Sequence, residues 1–292
     1  MSKKIITNKQ NTILILLLTF RFLNSKQIQQ FLNHKDHRRI NSWLKDMVDK
    51  GYIERDFKPI YGILTKPAVY FLTAKGRKQI KDAYTYYLPK YLKKISRDKD
   101  ASKGFRIKCQ IIGDWYLMLF PPEKNKPIPI VDNLIKELTT DLEEEKNKIP
   151  MNTLEFFTAS YYPKFILLEK IKPDAYLRRK TTKGVTHGLL FVLDAYVPRV
   201  MLQYFIKKIF TSLDEEYWET DDIDQLHMYV LCPNNMVIIY LRRLLKSFIE
   251  RYYGGKELMF HFATRNQMYK KLKDKEVKIK WIRMSSTDEY DN

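Results

Sequence analysis

Ser25-Lys-Gln-Ile-Gln-Gln-Phe-Leu32, followed by Asp36-His-Arg-Arg-Ile-Asn-Ser-Trp-Leu-Lys-Asp-Met-Val-Asp-Lys-Gly51, decides how the amino-terminal part of the chain is read. Two helices joined by a short polar turn fit it. In the second, Ile40, Leu44, Met47 and Val48 recur at helical spacing and face a core, while His37, Arg38, Asn41, Ser42 and Lys45 fall on the other side. Gly51 supplies the stop, because glycine accepts the left-handed backbone at a helix end.

Working outward, Tyr52-Ile-Glu-Arg55 and Ala68-Val-Tyr-Phe-Leu72 are β-prone runs flanking Lys58-Pro-Ile-Tyr-Gly-Ile-Leu-Thr-Lys-Pro67. Two prolines and a glycine make the middle stretch a loop, and its lysines give it charge. Thr73-Ala-Lys-Gly-Arg77 then caps and opens another helix, and upstream Asn11 to Phe22 is predicted as a first helix. The order helix, helix, helix, strand, loop, strand, helix over residues 8 to 82 resembles the winged-helix family, most closely in Gly51-Tyr-Ile followed by Tyr70-Phe-Leu-Thr-Ala-Lys-Gly76. That resemblance implies a helix-turn-helix whose second helix, from His37, enters the major groove of double-stranded DNA. Arg38 or Arg39 would then pair with guanine and Asn41 with adenine, beside His37 and Ser42. Lys45, Lys58, Lys66 and Lys75 would touch phosphates, setting register without reading sequence.

Charge points the same way. The 292 residues carry a net +19 with a pI near 9.6, an excess that suits a polyanionic partner such as nucleic acid. Residues 1–100 hold 22 Lys+Arg against 8 Asp+Glu, leaving 31 against 26 for the rest. A lysine-rich genome would raise the charge evenly and would not create that asymmetry. Cys109 and Cys232 are far apart in apolar runs, so neither a disulfide framework nor a zinc site is expected, and a reducing cytoplasm fits. The apolar run Ile13 to Leu18 is far short of the ~20 residues of a membrane span and reads as part of the first core helix, so no membrane partner is expected.

The polar run Ser96-Arg-Asp-Lys-Asp-Ala-Ser-Lys103 marks the expected boundary: a DNA-binding domain at 1–100, an α/β domain at 101–284 and a loose polar tail at 285–292. Before it, Tyr84, Tyr86, Tyr87 and Tyr91 suit an interface better than base stacking. Beyond it, Phe105 to Phe120 is a helix with Ile107, Ile111, Ile112, Trp115 and Leu119 as its apolar side, ended by Pro121-Pro122. A helix over 131–148 follows, its acidic 141–145 run solvated. Strands are then expected at 154–158, 175–178, 188–196, 228–232, 258–262 and 277–284, with helices at 199–213, 236–253 and 265–273. Three strands, then alternation with helices, predict an α/β sheet with helices against it.

One constellation suggests chemistry. Lys172-Pro-Asp-Ala175, then Leu193-Asp-Ala-Tyr196, place Asp174 and Asp194 at the ends of neighbouring strands, where two carboxylates can share a Mg²⁺ that orients water against a phosphodiester. This resembles the Pro-Asp then acid-x-Lys pattern of restriction-endonuclease-like nucleases. Tyr196 stands where that pattern has lysine, and Lys180 and Lys183 in the intervening hairpin are the nearest replacements by sequence. The departure implies a sheet without cleavage activity and no resident cofactor. The alternative is an active Mg²⁺-dependent endonuclease using both acids. A basic winged helix ahead of such a sheet resembles the replication-relaxation family of plasmids and mobile elements, a likeness complete only at Asp174 and Asp194. It implies duplex DNA as partner at a replication or transfer locus, with a homodimer or replication and transfer proteins as further partners. The five histidines show no metal-like spacing with cysteine, and no glycine-rich phosphate loop occurs.

Overall fold

A computed structural model describes residues 6–57, 67–84, 95–123, 126, 128–139, 154–159, 166–182, 184–214, 225–251, 257–274 and 279–285. The chain is mixed α/β and divides into two compact units, residues 1–147 and 148–292. Among the described residues, no helix is long and apolar enough to cross a membrane.

In the first unit, α1 (Asn8–Phe20) starts from a capping box in which Thr7 and Gln10 satisfy each other's backbone N–H groups. Ile13, Leu14, Ile15, Leu16 and Leu17 are all fully buried, so α1 is enclosed on every side and forms the middle of the unit. The chain then runs through β1 (Leu23–Asn24), α2 (Ser25–Phe31) and α3 (His37–Asp49). Asp36 caps α3 by accepting from Arg38 N and Arg39 N at 2.8 and 3.3 Å. Gly51, at φ 72°, ends it: Gly51 N donates to Val48 O and Tyr52 N to Met47 O, the paired bonds of a Schellman turn. The strands β2 (Ile53–Asp56) and β3 (Val69–Leu72) follow, with β3 central and antiparallel to both β1 and β2. Then comes α4 (Ala74–Ala83), capped by Thr73. The two-residue β1 was not foreseen. Loop residues 58–66, including Lys58 and Lys66, lie outside the described residues.

A 3₁₀ turn (Asp98–Asp100), α5 (Lys103–Leu119) and α6 (Pro129–Thr139) complete this unit. Division therefore falls at 147/148 and not at 100/101. The polar letters of 96–103 read as a linker because their partners are distant in sequence. Asp98 is buried against Arg21, and Arg106 reaches the Asp56 carboxylate and the carbonyls of Ala101 and Lys99. Aromatic rings carry α5 into the core: Tyr116 stacks on Phe31 at 5.6 Å and on Phe120 at 4.7 Å, and Phe105 meets Phe22 edge-on. Its buried side is Cys109, Ile111, Ile112, Trp115 and Tyr116, whereas Ile107, expected inside, is exposed.

The second unit is a six-stranded mixed sheet whose strands lie side by side in chain order: β4 (Leu154–Thr158), β5 (Ala175–Thr181), β6 (Gly184–Val192), β7 (Gln225–Cys232), β8 (Glu257–Thr264) and β9 (Ile282–Ser285). The first three are antiparallel, β6, β7 and β8 are parallel, and β9 returns antiparallel. A short unforeseen helix, α7 (Ile166–Ile171), precedes β5. The helices α8 (Arg199–Asp214) and α9 (Asn235–Ile249) make the parallel crossovers, and α10 (Arg265–Lys273) follows β8. Phe157, Tyr176, Leu189, Met228, Phe260 and Met284 sit in register across all six strands. They share one core with Leu167 and Leu168 of α7, Leu202 and Ile206 of α8, and Leu241 and Leu245 of α9. Three helices therefore cover one sheet face.

Candidate nucleic-acid interface

The Ile40, Leu44 and Met47 side chains of α3 are buried, which turns His37, Arg38, Arg39, Asn41, Ser42 and Lys45 outward, all exposed. Arg38, Asn41, Ser42 and Lys45 fall at i, i+3, i+4 and i+7 and form one stripe. Asn41 Nδ2 donates to His37 Nδ1 at 3.2 Å, so the two side chains orient one another on the open face. Arg39 departs from the stripe: its guanidinium lies 5.8 Å from the centre of the Trp43 ring, whose edge also meets His34.

Rigid neighbours hold this helix. Gln10 Nε2 donates to Asp46 at 2.7 Å, tying α3 to α1, and Asp46 also takes the Lys50 ammonium at 2.6 Å. Beneath α2, Gln27 Nε2 donates to Asp114 at 2.6 Å and to Gln110 O at 2.7 Å. Burial pushes the Asp114 carboxyl up to about 6, against the opposing pull of that Gln27 bond. The i,i+4 spacing of Asp46 and Lys50 is visible in the sequence, whereas the Gln10–Asp46 and Gln27–Asp114 bonds join different helices and no local spacing marks them. Lys75, expected on a phosphate, donates to Lys50 O at 2.6 Å and lies 5.0 Å from the Tyr52 ring centre, at the carbonyl end of α3. Its neighbour Gly76 allows this approach, because a Cβ there would stand 2.1 Å from Tyr52 O. Tyr84 accepts from Asn11 at 2.9 Å, and Tyr86, Tyr87 and Tyr91 lie outside the described residues.

In the sheet unit, the antiparallel pairing of β5 and β6 puts Asp174 and Asp194 at the same edge. Asp174 Oδ2 accepts the Val192 N–H at 2.7 Å and Asp174 N donates to Leu190 O at 2.8 Å, so this carboxylate ties down the end of β6. Asp194 is exposed two residues past the strand, which ends at Val192 and not at 196. Among the described residues no group of three or more His, Cys, Asp or Glu is placed to hold a metal. Lys180 pairs with Val185 at the hairpin end of β5, six residues and thus about 20 Å along the strand from Asp174. It lies at the wrong edge to replace the missing lysine, and Lys183 lies outside the described residues.

On the sheet face away from α7, α8 and α9, His227 Nδ1 and His261 Nε2 are 2.9 Å apart, with Tyr229 stacked on His261 and Trp281 edge-on to both Tyr229 and His261. Burial first, then His227 and Arg283, bring His261 down to about 4. Their adjacency comes from strand pairing between β7 and β8, which no short-range spacing reveals. Cys109 and Cys232 are buried in separate units, and burial pushes the Cys232 thiol up to about 12. No family model, no curated protein and no solved structure matches the chain.

Proposed function

We propose that the first unit is a winged helix-turn-helix that binds duplex DNA through the outward stripe of α3. In this reading the second unit is a nuclease-like sheet without cleavage activity, and the protein serves a plasmid or mobile-element replication or transfer locus. The observation that carries the DNA reading is the stripe itself: Arg38, Asn41, Ser42 and Lys45 share one exposed side of a helix whose opposite side is locked into a core. Arginine and asparagine are the side chains that pair with guanine and adenine edges in the major groove. The charge excess of residues 1–100 supplies the attraction to phosphate.

Duplex binding measured by fluorescence anisotropy, on a site selected by sequencing co-purified DNA and on scrambled DNA, tests it. Arg38→Ala is expected to cost about 1–3 kcal/mol on the selected site and to flatten the preference. Lys45→Ala is expected to weaken both duplexes alike and to lower the salt slope by about one. No binding of any duplex at low salt would overturn the reading. Active cleavage is the competing reading, since Asp174 and Asp194 share a sheet edge. Plasmid incubated with Mg²⁺ or Mn²⁺ is expected to stay supercoiled. Nicking abolished by Asp194→Asn would establish the endonuclease instead.

A further inference from the structure

Six exposed apolar side chains gather at one place in the sheet unit: Tyr196, Val200, Met201, Tyr204, Met236 and Ile239. Tyr196 is 95% exposed, and Val200 and Met236 are each 72% exposed. They occupy the loop after β6 and the first turns of α8 and α9, which follow neighbouring parallel strands and so start at the same sheet edge. The two helices pack side by side, with Phe210 stacked on Phe248 at 5.4 Å and the Arg199 guanidinium 5.6 Å from the Tyr240 ring centre. Leu202, Ile206 and Ile209 turn one side of α8 to the core, and Ile238, Leu241 and Leu245 do the same for α9. Helical spacing then directs Val200, Tyr204 and Met236 away from the sheet.

Apart from Asp194, two residues before Tyr196 in the same loop, the charges on these elements are positive. Arg199, Lys207, Arg242 and Arg243 are exposed; α9 contains no acidic residue, and α8 none before Asp214. Burial first, and then the charge of Lys172, hold the Lys208 ammonium below the ordinary lysine range. Large apolar side chains left exposed side by side on neighbouring elements mark a contact surface. Duplex DNA would use the cations and leave valine and methionine idle. A second copy meeting this face about a two-fold axis would bring two copies of the Arg199, Lys207 and Arg243 cluster into one interface. Side chains this exposed need a partner that closes around them on several sides. A bilayer interface does so: it accepts tyrosine at headgroup level and aliphatic side chains below, and anionic headgroups attract the cations.

We propose that this patch docks the sheet unit on an anionic lipid surface, with Val200, Tyr204 and Met236 entering the interface and Arg199, Lys207 and Arg243 meeting headgroup phosphates. Surface docking needs no spanning helix, and it is independent of the DNA reading. The full chain carrying Ile239→Cys, labelled with a polarity-sensitive fluorophore, tests it; the native Cys109 and Cys232 are 4% and 0% exposed and do not compete for label. A blue shift is expected with phosphatidylcholine vesicles containing phosphatidylglycerol and none with phosphatidylcholine alone. The same label at Lys35→Cys, exposed in the first unit, is expected to report water in both. Adding Val200→Asp, Tyr204→Asp and Met236→Asp is expected to lower vesicle partition by more than about tenfold, since burial of one such side chain is itself worth about a tenfold factor. All three positions are exposed, and an unchanged circular dichroism spectrum checks the fold. A missing shift, an equal shift at Lys35→Cys, or a shift surviving the three aspartates would overturn the proposal. So would a vesicle-free dimer in sedimentation velocity that the aspartates dissolve, which would make a second copy the occupant.

Discussion

Arg38 and Arg39 are neighbours in sequence and part company in space. Arg38 stands on the open stripe of α3, while Arg39 lies over Trp43, four residues along the same helix. On the DNA reading, Arg39→Ala is therefore expected to cost less than about 1 kcal/mol, well below the loss at Arg38, in the same anisotropy measurement. Which residues of α3 face outward was legible from the spacing of Ile40, Leu44 and Met47. The diversion of Arg39 was not, because it depends on a ring that the apolar pattern leaves at the margin. Arg106 offers a second case. Its guanidinium meets the Asp56 carboxylate and two backbone carbonyls, and it lies 5.4 and 5.6 Å from the ring centres of Phe22 and Phe71. Arg106→Ala is expected to lower unfolding stability by about 1–3 kcal/mol in urea, with lysine restoring only part, since an ammonium lacks the planar fork.

At the scale of elements, α5 is the piece that sequence reading assigned to the wrong neighbour. Its apolar period was evident and its extent nearly so, but which core receives Trp115 and Tyr116 depends on contacts far along the chain. Its Asp114 also leaves a pH signature. The carboxyl is raised from 3.8 to about 6 in the folded chain, so between those values the folded state binds more protons than the unfolded state. Stability contributed by neutral Asp114 is thus present below the unfolded value and lost as pH rises through the folded one. Asp114→Asn retains an oxygen for Gln27 and removes the buried charge; it is expected to stabilise the protein at pH 7.5 by about 2–3 kcal/mol and to have little effect near pH 3.5, read by urea unfolding at each pH. The strands of the sheet unit were largely legible because their apolar runs are dense. The short β1 and α7 were not, being too brief to show a period.

For the whole molecule, the 147/148 division predicts how fragments behave. Residues 1–147 are expected to unfold cooperatively on heating, followed by circular dichroism. Residues 1–100 lack Phe105, Trp115 and Tyr116 and are expected to show no sharp transition. The sheet unit adds a consequence of its strand order. Each strand from β5 onward pairs with the one made just before it, and none is wedged between two older ones. Such a sheet can be assembled in the order of translation, every new segment extending a growing rim, with loop closures kept short. The vulnerable moment is the interval when β8, carrying Leu258, Phe260 and Phe262, forms the open rim. Four residues, Ile282–Ser285, then seal it, so β9 acts as a stopper against templated growth by other chains.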